Sequence, residues 1–174
     1  MTSLLSSRRS GVTLLELSLV MVIISLIVGG IFVGRSLIRS AELKAVLSES
    51  ARYMSAINEF KAKYHELPGD FSRATQLWGA IVGDCNTVEG ATPLQTCDGD
   101  GNGRIVNQDN NDTLYEQFAA WKHLSNAGFI DASLTGTGGE GNKYTRIPGI
   151  NIPPSKVADA GWGLISLTLI DINS

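Results

Sequence analysis

The stretch that most limits what this chain can become is VTLLELSLVMVIISLIVGGIFVG, 23 residues from Val12 to Gly34 with a single ionisable side chain, Glu16. At about 1.5 Å of rise per residue such a run makes a helix of roughly 35 Å, longer than the about 30 Å hydrocarbon core of a bilayer. A transmembrane helix is predicted over 12–34. The residues ahead of it, MTSLLSSRRSG, carry Arg8 and Arg9 and no acid. The positive-inside rule therefore sets 1–11 in the cytoplasm and the chain beyond residue 34 across the membrane. A secretory signal peptide has a shorter apolar region that ends in small residues at a cleavage site. Here Gly29, Gly30 and Gly34 lead instead into Arg35 and a continuing helical pattern.

Glu16 is the anomaly in the span. A carboxylate at the centre of an apolar helix is unfavourable by on the order of 3 kcal/mol, so it needs a partner or must snorkel to the interface. The hexapeptide around it, Gly11-Val12-Thr13-Leu14-Leu15-Glu16, lies behind a short basic leader and opens the apolar helix. That arrangement resembles the class III signal of type IV pilins and type II secretion pseudopilins, whose pattern is Gly, usually Phe, Thr, Leu, an aliphatic residue, Glu. Val12 stands where the family usually has an aromatic residue. The resemblance implies that a prepilin peptidase cuts after Gly11 and N-methylates Val12. It also implies that Glu16 faces the terminal amine of Val12 in a neighbouring subunit, an amine protonated at neutral pH. Opposite charges in apolar surroundings attract strongly, so the pair would set register in a filament.

The same resemblance implies an α+β, pilin-like fold: a long N-terminal helix, half transmembrane and half amphipathic, packed on a small head with a short antiparallel sheet and irregular loops. The implied partners are other pilins or pseudopilins in a homo- or hetero-oligomeric filament, the peptidase, and an inner-membrane assembly platform. The implied location is the bacterial inner membrane, single-pass with the head in the periplasm, and periplasmic or extracellular once assembled.

The residues themselves divide the chain into a leader at 1–11, the span at 12–34, an amphipathic stalk at 35–66 and a head at 67–174. In the stalk Leu43, Val46, Leu47, Met54, Ile57, Phe60 and Tyr64 recur at helical spacing among charged residues. No proline lies between 12 and 67, so one helix of about 55 residues is allowed. Leu67-Pro68-Gly69-Asp70 ends it, and Asp70 is read as the N-cap of a short helix through FSRATQLW. The head is acidic, with 12 acids against 6 bases. With a whole-chain net charge of -3, nucleic-acid binding is disfavoured.

Residues 84–116 hold seven acids, one base and both cysteines. Cys85 and Cys97 would close a ring worth roughly 3 kcal/mol, and an extracytoplasmic compartment permits the disulfide. Directly after Cys97, DGDGNGRIVNQD matches the start of an EF-hand calcium loop. Asp98, Asp100 and Asn102 take positions 1, 3 and 5, Gly103 takes the sharp turn, and Arg104 offers its carbonyl. Asp109 stands at position 12 in place of glutamate, so the last ligand is Asp109 or moves to Asp112 or Glu116. Calcium is the expected cofactor, against the alternative of a metal-free Asp/Gly/Asn turn. DTLYEQFAAWKHLSNAG then reads as a helix with Asp112 as N-cap and Gly128 at its end. Lys143–Ile147 is a short candidate strand and Trp162–Ile172 the clearest one.

No enzyme is expected. There is no phosphate loop, no G-x-S-x-G and no paired-histidine metal site, and His65 and His123 are read as surface or packing residues. The expected function is a structural filament subunit. The alternative is a single-pass, inner-membrane-anchored periplasmic module that binds calcium or a glycan, with Trp78, Trp121 and Trp162 as a platform.

Overall fold

The structure, a computed structural model, describes residues 11–81, 85, 93–105, 116–138 and 145–164. The chain divides into two compact units, Met1–Leu43 and Lys44–Ser174. A single helix, α1 (Leu14–Tyr64), contributes to both.

In the first unit α1 presents Leu14, Leu15, Leu17, Leu19, Met21, Leu26, Ile31 and Phe32 to the outside. An 18-residue window of α1 reaches a mean hydropathy of 2.7 with none of it buried, so by length and composition the helix suffices to cross a membrane. The two serines of its apolar run are satisfied locally. Ser18 Oγ donates to Leu15 O at 2.9 Å and Ser25 Oγ to Met21 O at 2.7 Å, which removes the penalty of a bare polar group in an apolar span.

In the second unit one face of α1 turns inward through Glu49, Tyr53, Ala56 and Phe60. The 3.6-residue period puts these four on one stripe. Helix α1 ends where Pro68 approaches: His65 takes a left-handed φ of 64° while its N–H still reaches Lys61 O at 2.9 Å. Lys61 and Lys63 occupy the last turn, where cations complement the helix dipole. Two short helices follow, α2 (Ala74–Trp78) and α3 (Glu116–Asn126). Helix α3 is buried from Glu116 to Leu124.

Gly128 stops α3 as its sequence position suggests. With φ at 78°, Gly128 N–H donates to Ser125 O and Phe129 N–H to Leu124 O, both at 3.0 Å. This is the Schellman pattern, which satisfies carbonyls that the helix leaves open. The core joins Tyr53, Ala56 and Phe60 of α1 to Phe71, Ala74, Phe118, Trp121 and Leu124, with Ile130, Leu134 and Ile152 from the loops. Its aromatics meet edge to face, as the ring quadrupole prefers: Tyr53 with Trp121 at 5.0 Å and Phe60 with Phe71 at 5.7 Å between centroids.

The expected antiparallel sheet is not found among the described residues. There are only isolated bridges, Ala80 with Thr96, Pro148 with Ile152 and Pro154 with Gly161. The prolines and glycines that flank these bridges remove ladder donors and favour turns, so pairing stops after one residue pair. Residues 145–147 are not strand, residues 162–164 lie beyond the Gly161 bridge, and the rest of both candidate strands, 143–144 and 165–172, falls outside the described residues. What fastens the loop at 155–162 to α1 is a side chain. Glu49 accepts hydrogen bonds from Ser155 Oγ, Lys156 N and Trp162 Nε1 at 3.1–3.2 Å. Burial pushes the Glu49 carboxyl upward, but these three donors and the nearby Lys156 charge outweigh it and leave the group below the usual carboxylate range.

Candidate functional sites

Two places gather the residues singled out above. The first is the start of α1. Gly11, Val12 and Thr13 precede the helix, and all three are exposed. Thr13 N–H and Thr13 Oγ1–H both donate to Glu16 Oε2 at 2.9 Å, and Glu16 N–H donates back to Thr13 Oγ1 at 3.3 Å. This reciprocal pair is a capping box. Thr13 thereby fixes where the helix begins, at Leu14, two residues past Val12, and Glu16 has an internal partner within its own chain. Nothing lies within 4 Å of where a Gly11 side chain would start, so the Gly11–Val12 bond is open to approach.

The second place is an acidic loop, and it is assembled differently from an EF-hand. Asp98, read as the first ligand, is spent elsewhere: its Oδ1 accepts Thr75 N–H and its Oδ2 accepts Thr75 Oγ1–H, each at 2.7 Å. It therefore serves the start of α2, whose N-cap residue Arg73 supplies no side-chain bond. Asp70, read as that N-cap, instead reaches across to the loop. Its Oδ1 accepts Asn102 N–H at 2.9 Å and its Oδ2 accepts Gly103 N–H at 2.7 Å. Asp98 thus serves the helix start that sequence proximity gives to Asp70, and Asp70 holds two amides of the loop.

Asp100 accepts Asn102 N–H at 2.9 Å and Asn102 Nδ2–H at 2.6 Å, while Asn102 Oδ1 accepts Arg104 N–H at 2.8 Å. Asp100 N–H donates to Glu116 Oε1 at 3.4 Å. One carboxylate oxygen each from Asp70, Asp100 and Glu116 lies within 4.8 Å of the others. Asp70 and Glu116 are buried and Asp100 is exposed. Burial, reinforced by its contact with the Asp100 carboxyl, pushes the Asp70 carboxyl above its usual range, against the pull of the Gly103, Asn102 and Gly101 amides. Of the loop ligands expected from sequence, Asp100 joins this cluster and Asp98 does not. Asp109 and Asp112 lie outside the described residues. Asp70 was missed because it is 28 residues upstream of Asp98 and carries no metal-loop signature of its own.

The loop is held against the Pro68–Phe71 turn by close backbone contact and by one histidine. Gly99 N–H donates to Phe71 O at 2.9 Å. His123, fully buried on α3, accepts Gly69 N–H on Nδ1 and meets Cys97 O through Nε2, both at 3.0 Å. An amide N–H on Nδ1 leaves the proton on Nε2, which donates to the carbonyl. Burial drives the His123 pKa down to about 4, against the opposing Cys97 carbonyl and Asp98 charge. Cys97 is also joined to Cys85, with Cα atoms 6.1 Å apart. The tryptophans do not form a platform: Trp121 is buried, and Trp78 and Trp162 pack against Phe71 and Tyr53.

Comparison with known protein families matches residues 6–32 to the prokaryotic N-terminal methylation motif. The chain thus carries a prepilin-type signal, spanning Arg8 and Arg9 of the leader, Gly11, Glu16 and most of the apolar run over 12–34. No curated protein and no solved structure matches the chain. An N-terminal apolar helix behind such a signal fits a membrane-anchored protein.

Proposed function

We propose that the chain is a structural subunit, pilin or pseudopilin, of a type IV pilus-like or type II secretion filament. It is made as a precursor, cut after Gly11 by a prepilin peptidase, methylated on Val12 and assembled through α1. One observation carries the reading. The methylation motif over 6–32 coincides with a helix that starts at Leu14, is wholly exposed through its apolar run and is long enough to span a bilayer. In the free chain the Thr13 hydroxyl and amide satisfy Glu16. In the filament Glu16 faces the Val12 ammonium of a neighbour, and the exchange of a neutral donor for a charge strengthens the contact. Intact mass of the membrane-extracted protein tests this. Co-expression with a prepilin peptidase is expected to remove Met1–Gly11 and add about 14 Da to Val12. A chain that keeps its leader under those conditions sinks the proposal and returns the anchored binding module.

The head's acidic loop is proposed to hold calcium, with Asp70, Asp100 and Glu116 as its carboxylate ligands. A hard divalent cation suits three converging carboxylates, and it would offset the crowding of negative charge around Asp70. The cation's contribution is to bind the loop to the turn and to α3, and so stiffen one face of the head. At free calcium tenfold above a Kd of about 10⁻⁴ M, linkage stabilises the fold by about 1.4 kcal/mol. Calcium is therefore expected to raise the thermal midpoint and a chelator to reverse it. Glu116→Gln and Asp70→Asn should erase the shift, and Asp98→Asn should keep it. Loss of the shift in Asp98→Asn alone would restore the EF-hand assignment.

A further inference from the structure

Asn102 is followed by Gly103, and this is the one Asn-Gly step in the sequence. Both residues are exposed. Glycine has no Cβ to shield its amide nitrogen, and nothing lies within 4 Å of where that Cβ would be, so no more distant residue crowds that side of Gly103. The side chain is already folded back along the backbone. Asn102 Oδ1 accepts the N–H of Arg104, two residues on, at 2.8 Å, which carries the carboxamide past Gly103. Asn102 Nδ2 donates to Asp100 Oδ2 at 2.6 Å. The Gly103 N–H points at Asp70 Oδ2 at 2.7 Å, and a carboxylate at that distance draws on the proton and leaves the nitrogen richer in electrons.

We infer that Asn102 is a self-modifying site, at which the folded loop converts the asparagine into an aspartyl or isoaspartyl residue. The Gly103 nitrogen attacks Asn102 Cγ, forming the N–Cγ bond. Negative charge gathers on Oδ1, which already faces the Arg104 N–H, a donor placed where the charge develops. The Cγ–Nδ2 bond then breaks. Nδ2 leaves as ammonia with its own two hydrogens and the proton given up by Gly103, relayed by solvent. The five-membered imide left behind is opened by water at either carbonyl. Opening at one carbonyl gives aspartate, and opening at the other gives isoaspartate with one more atom in the main chain. No oxidant or cofactor is consumed: one water enters and one ammonia leaves. Either product adds a negative charge beside Asp100. The isoaspartyl form also lengthens the path between Asn102 N and Gly103 N, the two amides that Asp70 holds together.

This inference stands without the calcium reading. The test follows the intact mass of the full chain in detergent micelles, in chelator at neutral pH, beside the same disulfide-bonded chain unfolded in urea. The folded protein is expected to gain about 1 Da at a rate equal to or above that of the unfolded chain. Peptide mapping is expected to place the change at position 102, with isoaspartate among the products, and Asn102→Gln, whose longer side chain must close a six-membered ring, is expected to lose the gain. A folded rate below the unfolded one would overturn the inference, because the fold would then be protecting the step. A gain mapped to another asparagine, or one that persists in Asn102→Gln, would overturn it as well.

Discussion

Gly99→Ala is expected to lower the stability of the head by about 3 kcal/mol and to detach the acidic loop from the turn beneath it. A Cβ at this position would lie 2.3 Å from both Cα and the carbonyl carbon of Asp70 and 2.4 Å from Gly69 O. All three are backbone atoms, so no side-chain rotation relieves the clash and one of two main chains has to move. Neither moves freely. Residue 97 is tied by its disulfide to Cys85 and by its carbonyl to His123, and Gly99 N–H is itself bonded to Phe71 O. On the other side Gly69 is locked by the same histidine and has a φ of 91°. Gly103→Ala is the informative contrast. Its φ of 83° strains an alanine, but open space surrounds the added methyl, so about 1 kcal/mol is expected. Urea unfolding of the full chain in micelles, followed by the fluorescence of the core tryptophans, measures both. Equal effects for the two variants would mean that the contact between 99 and 70 is loose.

What could be read in the sequence follows how local each interaction is. The span over 12–34, the end of α1 ahead of Pro68 and the stop of α3 at Gly128 each depend on residues within a turn or so of one another, and each is legible. Thr13 and Glu16 are likewise three residues apart, and their T-x-x-E spacing is a capping box signature as much as part of a processing signal. The acidic loop was legible only in part. Spacing marked Asp100, and it offered Glu116 as a possible last ligand. It could not show that Asp98 would turn to Thr75, 23 residues back, or that Asp70 would reach Asn102, 32 residues on. Both aspartates are good caps and good ligands, and only the packing of the turn against α3 decides between the roles. His123 is the same case. Its helical position predicts a buried or a surface ring equally well, and the bond to Gly69, 54 residues away, leaves no trace in any local pattern. The lack of a sheet among the described residues has a different origin. Alternating apolar residues suggest strands, but pairing needs consecutive donors, and the prolines around the observed bridges supply too few.

The clamp made by His123 predicts a pH dependence with a definite sign. The ring is neutral in the folded head, with a pKa near 4, against 6.5 when the chain is unfolded. Between those values the unfolded chain binds a proton that the folded chain refuses. Stability from this group is therefore complete above about pH 6.5, falls as the pH drops toward 4, and levels off below that, for a total loss of about 3 kcal/mol. Carboxylates such as Glu49 add their own slope at the acid end, so the comparison has to be made against a variant that shares them. His123→Gln keeps an amide donor able to reach Cys97 O and removes the titration. It is expected to be less stable than the native protein at pH 7, because Gly69 N–H loses its acceptor and the ring leaves a gap beside Phe60 and Phe71. As the pH is lowered from 7 to 4 the gap between the two proteins should close, since only the native chain carries the histidine term. Urea midpoints across that range give the difference directly, and contributions common to both proteins cancel. Two curves that run parallel would show that the buried ring does not resist protonation, and that Gly69 and Cys97 are held together by the disulfide and the glycine packing alone.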